Sequence, residues 1–117
     1  MSRSGALLPV VLGVIAAAAA SAAEQAPGTA LGKQVFDKWC APCHAPGTAF
    51  PGTRALDAKY DGKIPAALEQ RTDLSADLVR SMVRHGVSVM PFFRKTEISD
   101  ADLADLAAYL ADPTRKR

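Results

Sequence analysis

The feature that most constrains this chain is a pair of cysteines three positions apart, with a histidine directly after the second. Residues 39–44 read Trp-Cys-Ala-Pro-Cys-His, so Cys40, Cys43 and His44 form a Cys-x-x-Cys-His motif. This motif is typical of covalent attachment of a c-type haem. One turn of irregular helix would place both sulfurs on one side for thioether bonds and would direct the His44 ring toward the iron. The motif predicts one covalent haem c, held by Cys40 and Cys43 and ligated by His44.

Three other chemistries use cysteines at this spacing. A thioredoxin-like disulfide exchange centre needs a buried strand before the motif, whereas residues 31–38 lack a β-branched run and favour helix. A structural zinc site needs four ligands, and the other histidine, His85, lies far along the chain on a predicted helix. A plain disulfide would leave His44 without a role. We therefore favour haem attachment.

An iron-bound histidine also needs an acceptor for the proton on its second ring nitrogen. Residues 45–53 are rich in proline and glycine and predict an ordered loop after His44. The carbonyl of Pro51 is the candidate acceptor. A simple turn proline is the alternative for this position.

The first 23 residues have the pattern of a secretory signal peptide. Arg3 supplies a positive start, residues 6–20 are apolar, and residues 21–23 are the small residues that precede a cleavage site. An uncleaved membrane anchor is the alternative, but the apolar run is short for a span. We expect cleavage after Ala23, a periplasmic location, and a single domain at residues 24–117 with no membrane span.

Charge excludes one class of partner. The whole chain has a net charge of +2. Removal of Arg3 leaves 13 basic against 12 acidic residues, a net charge of +1. That balance is too small for a nucleic-acid-binding surface, so no nucleic acid partner is expected.

Helical spacing of apolar residues predicts an all-α fold. One helix should begin near Thr29 or Ala30 and run into Cys40. A short turn at residues 56–60 and a helix starting at Pro65 within residues 63–71 are weaker predictions. A clearer helix should begin at an Asp73 or Ser75 cap and stop at Gly86, and the last one should begin after Ser99, with Asp100 and Asp102 in its first turn.

Gly32 is unusual inside the first predicted helix, where glycine costs about 1 kcal/mol relative to alanine. A second helix that crosses closely at this point would explain it. A frayed helix start is the alternative.

A second axial ligand would close the sixth coordination position of the iron and favour electron transfer, whereas without one the position would stay open for chemistry. Met82 lies among apolar residues of a predicted helix and is expected in the core, and His85 lies at that helix's end and is expected to face solvent. Met90 precedes Pro91, which favours extended backbone in a loop that we expect to be buried. It also follows His44 by 46 residues, enough chain to reach the opposite haem face. We favour Met90.

These features resemble class I cytochrome c over nearly all of residues 24–117. The matching positions are Gly32, Phe36, the Cys-x-x-Cys-His motif, Met90-Pro91, Leu106 and Tyr109. The resemblance implies that the first and last helices cross at the glycine and aromatic pair. It also implies thioethers at Cys40 and Cys43, and axial ligation by His44 and Met90.

Residues 83–100 are similar to the small cytochrome subunits of flavocytochromes that oxidise 4-alkylphenols, such as p-cresol methylhydroxylase and eugenol hydroxylase. This resemblance implies a flavoprotein dehydrogenase as partner, which would pass electrons one at a time. A cytochrome, an azurin-like protein or an oxidase would accept them downstream. Cytochromes serving quinoprotein alcohol dehydrogenases carry similar segments and are the alternative.

The sequence therefore predicts an electron carrier that is itself no enzyme. An open-site haem enzyme or ligand sensor is the alternative from another class, and it would require that Met90 not bind the iron. Four apolar residues are candidates for the haem surround, and each could equally be ordinary core: Pro42, Val89, Phe92 and Phe93. Four basic residues are candidates for propionate or partner contacts, and surface solvation is the alternative for each: Arg54, Arg71, Arg94 and Lys95.

Overall fold

The computed structural model describes Met1 and residues 27–116, and within this part it contains helices and no strands. The signal peptide predicted at residues 1–23 therefore lies, apart from Met1, outside the described residues. The α-helices are α1 (Pro27–Trp39), α2 (Ala41–His44), α3 (Pro51–Tyr60), α4 (Ala76–His85) and α5 (Asp100–Ala111). Short 3₁₀ helices cover Leu68–Gln70 and Pro113–Lys116. The all-α prediction is confirmed.

The packing of α1 against α5 is the largest helix contact in the described chain. Gly32 lies at the crossing, where a Cβ atom built on it would clash with the Asp105 carbonyl oxygen and lie 2.5 Å from Tyr109 Cβ. Phe36, one turn further along α1, packs its ring 6.1 Å from that of Tyr109. The close crossing predicted from Gly32 is confirmed, because only a residue without a side chain allows the two backbones this near.

The hydrophobic core lies between α1, α4 and α5. Phe36, Ile98 and Leu106 are its largest fully buried side chains. Val79 and Val83 contribute from α4, and the buried face of α5 supplies most of the remainder. Cys40 belongs to the same cluster, so the start of the motif is built into the core.

The ends of α4 and α5 follow their predicted caps. The Ser75 hydroxyl accepts a hydrogen bond from Leu78 N, and the Ser99 hydroxyl accepts one from Asp102 N. Gly86 follows α4 with a φ of +69°, a left-handed value that favours glycine. A Cβ there would also lie 2.6 Å from the Met90 carbonyl oxygen, so Gly86 both ends the helix and admits the following turn.

Three predicted boundaries were wrong. α1 includes Pro27 and Gly28, which precede the predicted start near Thr29 or Ala30. α3 begins at Pro51 rather than at residue 56, because proline fits the first turn of a helix, where its missing N–H costs nothing. No α-helix begins at Pro65, because Ala67 is extended and buried. The segment forms only the 3₁₀ turn Leu68–Gln70. Tertiary contacts of this segment override its modest helix propensity.

A polar cluster at the edge of the α1–α5 contact, the Tyr109 cluster, comprises Tyr109, Glu69, Lys33 and Arg115. The Tyr109 hydroxyl donates a short hydrogen bond to Glu69, and Lys33 lies 4.0 Å from the same carboxylate. The Arg115 guanidinium lies 4.9 Å from the Tyr109 ring centre and donates to the Leu110 carbonyl. The cluster ties α5 to the segment around residue 69.

Within residues 27–116, no helix combines the length and apolar character that a membrane crossing needs.

Candidate cofactor site around Cys40, Cys43 and His44

The Cys-x-x-Cys-His motif forms a nearly continuous helical path from α1 into α2. Cys40 N donates to the Phe36 carbonyl at 2.8 Å, which completes the last turn of α1. The Cys40 carbonyl then accepts from both Cys43 N at 3.1 Å and His44 N at 2.8 Å. The predicted turn of irregular helix is therefore present, and its geometry is set by the attachment of Cys40 to the core.

The two cysteines have different surroundings. Cys40 is buried, whereas Cys43 is exposed, and neither forms a disulfide. Burial, with a smaller effect from Cys43, raises the pKa of the Cys40 thiol to about 12. Disulfide exchange needs a thiolate at neutral pH, so this thiol is unsuited to a thioredoxin-like reaction. The described residues also lack the preceding strand that such a fold requires.

The His44 ring is half-buried, and burial lowers its pKa below the usual value. A neutral imidazole is the form that binds iron, because the ligating nitrogen needs its lone pair. No group of three His, Cys, Asp or Glu side chains in the described chain could form a separate metal centre. The zinc alternative therefore gains no support from the geometry.

The Nδ1 atom of His44 is buried and has no hydrogen-bond partner among the described residues. The ring lies against the first turn of α3, because a Cβ on Gly52 would be 2.8 Å from Nδ1. Pro51 is thus the neighbour of the contacting residue, but its carbonyl belongs to the first turn of a helix and points along the helix axis. The expected acceptor role of Pro51 stays a prediction.

Thr53 is a site residue that the sequence did not reveal. It is 3% exposed, and its hydroxyl donates a 2.8 Å hydrogen bond to the carbonyl of Ala45, the residue after His44. Gly52 was missed as well. The signal was available in the dipeptide after Pro51, but a glycine and a threonine in a proline-rich stretch are also ordinary loop residues.

Met90 lies in a turn that is fastened to the end of α4. Val87 and Met90 exchange backbone hydrogen bonds of 3.1 and 2.9 Å, and Phe93 N donates to the Val83 carbonyl at 2.8 Å. The segment is non-helical, as predicted. In the polypeptide alone Val89 is 91% and Phe92 60% exposed, because the tight turn projects these side chains outward, so any burial of them must come from the haem or a partner.

One aromatic contact joins the Met90 segment to the motif. The Phe93 ring packs edge-on against the Trp39 ring, with 5.9 Å between their centres. Phe93 follows Met90 by three residues, and Trp39 directly precedes Cys40. The fold therefore brings together two stretches that lie about fifty residues apart in sequence.

The other ligand candidates occupy different surroundings. His85 is exposed, and its Nδ1 lies 2.9 Å from the Ser81 carbonyl oxygen, as expected of a residue at a helix end. Met82 is half-buried and lies outside the core cluster, so its predicted core position is not confirmed. Met90 is also half-buried.

The four candidate basic residues differ in their partners. Arg71 is 6% exposed, binds the Asp73 carboxylate through two nitrogens and lies 4.9 Å from the centre of the Tyr60 ring, so the alternative of surface solvation is wrong for this residue. Arg94 pairs with Glu97, and Lys95 pairs with Asp100. Arg54 is exposed on α3.

The residues fit a covalently held haem c. Two cysteines outside any disulfide lie on one helical turn, and an imidazole with a lowered pKa and a buried Nδ1 atom follows them. The apolar side chains of Val89 and Phe92 are displayed by the segment that the Trp39 contact fixes beside the motif. This set of donors suits iron in a porphyrin.

Comparison with known proteins agrees with this chemistry. Residues 27–110 match the family described as "Cytochrome C oxidase, cbb3-type, subunit III". The chain is 38% identical to cytochrome c6 of Picosynechococcus sp. over 74% of each protein. It is 32% identical to cytochrome c6 of Cyanidioschyzon merolae, over 73% of this chain and 74% of the relative. Cytochrome c6 of Synechocystis sp. is 34% identical over 73% of this chain and 65% of the relative.

The family match spans all five helices except the last residue of α5, and it includes the motif and the Met90 segment. The fold, the two cysteines and the neutral histidine agree with what such proteins require. The chain therefore belongs to the class I type of monohaem c-type cytochromes, electron carriers rather than enzymes, which hold one covalently bound haem c.

Proposed function

We propose that Cys40 and Cys43 hold the haem by thioethers and that His44 and Met90 are its axial ligands. The observation that carries this assignment is the half-buried His44 ring, whose Nδ1 atom is buried and whose pKa burial lowers, directly after a helical Cys-x-x-Cys turn. Met90 is supported by its segment, which the Phe93–Trp39 contact holds beside the motif. The bound haem supplies a one-electron couple between ferric and ferrous iron.

The chain's own residues hold and shield this couple. The core fixes Cys40 and, through the backbone of α2, the position of His44. The turn closed by Val87 and Met90, together with Gly86, fixes the backbone at the second proposed ligand. A thioether ligand favours the ferrous state and closes the sixth position, so the site exchanges electrons and does not activate small molecules.

The partner that we propose as electron donor is a flavoprotein dehydrogenase that oxidises 4-alkylphenols. The support is the resemblance of residues 83–100 to the cytochrome subunits of such enzymes. Within this segment Asp100 binds Arg84 at 2.9 Å and Lys95 at 2.7 Å, which ties its two ends together. The downstream acceptor would be a cytochrome, an azurin-like protein or an oxidase, and a quinoprotein alcohol dehydrogenase is the alternative donor.

We also propose that residues 1–23 are a signal peptide and that the mature carrier, residues 24–117, works in the periplasm. The support is the sequence pattern of this segment. The mass of the protein from the periplasmic fraction tests this proposal. A mature chain that starts near Glu24 and carries one haem is expected, whereas a full-length chain in the membrane fraction would favour an anchor.

The ligand assignment is tested with carbon monoxide. Reduced wild-type holoprotein should not bind it, whereas Met90→Ala should, since the substitution opens the sixth position. Met82→Ala is the matched control, because Met82 is a half-buried methionine of α4, and it should behave as wild type.

Two results would contradict the proposal. Carbon monoxide binding by reduced wild-type protein would favour the open-site enzyme or sensor. Loss of all haem on extraction with acidified acetone would show that the attachment is not covalent. For the partner, stopped-flow mixing with a 4-alkylphenol dehydrogenase and with a quinoprotein alcohol dehydrogenase compares the two donors. Faster reduction by the quinoprotein would favour the alternative.

A further inference from the structure

We propose that Gly52 and Thr53 are positioning residues that set the orientation of the His44 ring, and thereby tune the iron. This inference rests on the proposed role of His44 as an iron ligand. Two independent observations carry it: the approach of the ring to the backbone of Gly52 and the hydrogen bond of Thr53 to the residue after His44.

Gly52 provides room for the ring. A Cβ atom built on this residue would lie 2.7 Å from both the Cys43 carbonyl oxygen and His44 Cε1. Gly52 lies in the first turn of α3 with an ordinary φ, so its backbone conformation does not require glycine. Glycine is required because the His44 ring approaches the backbone here so closely. The first turn of α3 therefore packs against one edge of the imidazole.

Thr53 fixes the position of this first turn of α3. Its buried hydroxyl donates to the Ala45 carbonyl, which lies where the chain leaves α2 with an extended ψ of 157°. This carbonyl has left the helical path and needs a donor from elsewhere. The hydrogen bond therefore fixes the first turn of α3 against the end of α2, with the His44 ring between them.

The consequence is a ring whose freedom to rotate is limited on the Nδ1 edge. Groups beyond the ligating nitrogen set the plane and basicity of an iron-bound imidazole and so the electronics of the metal. A shift of α3 would change the plane and the basicity of the imidazole. A tertiary contact thus influences an iron ligand whose orientation the Cys-x-x-Cys-His motif alone does not set.

The experiment compares holoprotein variants by NMR of the haem methyl groups in the ferric state, by electron paramagnetic resonance and by redox titration. Gly52→Ala must increase a 2.7 Å separation to the 3.4 Å at which ordinary contact begins, a displacement of about 0.7 Å. We expect a rearranged methyl pattern, shifted g values and a raised potential, because a displaced ring is a weaker donor. Gly28→Ala is the control, since its Cβ would meet only the flexible Asp105 carboxylate at 3.1 Å.

Thr53→Val removes the hydroxyl with little change of shape and should shift the same signals in the same direction by a smaller amount. Thr53→Ser keeps the donor and should restore the wild-type spectra, which a merely structural role would not predict. Thr48→Val alters an exposed threonine nearby and should leave them unchanged. If Gly52→Ala does not yield holoprotein, the comparison of Thr53→Val with Thr53→Ser decides whether these residues position the His44 ring.

Wild-type spectra in Gly52→Ala and Thr53→Val would overturn the inference. Shifts in Thr53→Ser as large as those in Thr53→Val would overturn it as well. Neither result would affect the proposed ligands, which fail separately if the wild-type protein shows no histidine-ligated, covalently bound haem.

Discussion

Replacement of Gly32 by alanine tests the α1–α5 contact on which the fold depends. The new Cβ would lie 2.5 Å from Tyr109 Cβ and would clash with the backbone of Asp105, and neither atom is the flexible end of a side chain. Separation from Tyr109 Cβ to ordinary contact at 3.4 Å alone requires a displacement of about 0.9 Å, and the closer Asp105 carbonyl oxygen requires more. Overpacking of this kind costs about 1–3 kcal/mol, and a clash with backbone belongs at the upper end.

Alanine also gains about 1 kcal/mol in helix propensity relative to glycine. The net loss should therefore be about 2 kcal/mol, which lowers Tm by roughly 8–16 °C in a domain of this size. Gly28→Ala is the matched control on the same helix, one turn earlier, where the Cβ meets only the end of the Asp105 side chain. Thermal and guanidinium unfolding of both holoproteins measure the difference. Equal stability of the two variants would refute the argument.

Two further predictions concern polar contacts. Burial, and then the hydrogen bond to Glu69, raise the pKa of Tyr109; since unfolded tyrosine ionises near pH 10, stability should fall as the pH rises above about 10. The guanidinium midpoint of Tyr109→Phe should fall less steeply between pH 9 and 11 than that of the wild-type protein. Equal pH dependence of the two midpoints would show that Tyr109 does not cause the loss. Arg71→Met removes a buried guanidinium from Asp73 and should cost about 1–2 kcal/mol, since that carboxylate is half exposed. The exposed pair of Arg80 with Asp77 supplies the control Arg80→Met, which should change stability by less than about 0.5 kcal/mol; similar losses would show that the burial of Arg71 has no effect.

Local patterns in the sequence were sufficient for several parts of the structure. Cys40, Cys43 and His44 lie within one helical turn, so their relation depends on backbone geometry that neighbouring residues determine. Ser75 and Ser99 cap their helices through bonds to residues three positions ahead. Gly32 was informative for a different reason: a glycine that weakens a helix indicates a close neighbour there, although it does not say which element supplies it.

The segments without strong local preferences were decided by tertiary contacts. Residues 63–67 have helix-compatible composition, yet Ala67 is buried in an extended conformation, and Arg71 is held by Asp73 and Tyr60. Val89 and Phe92 depend on their surroundings in the same way: apolar character shows that a side chain favours burial but does not identify what covers it, and no part of the described polypeptide covers these two.

The sequence by itself determined the helical class, the attachment motif and two helix caps, because each depends on residues within one or two turns of one another. Only the tertiary structure placed the first turn of α3 against the His44 ring and the Phe93 ring against Trp39. Those contacts join residues separated by eight positions in one case and by 54 in the other. They form because the common core draws α1, α4 and α5 together, a result of the whole chain's packing that no local pattern contains.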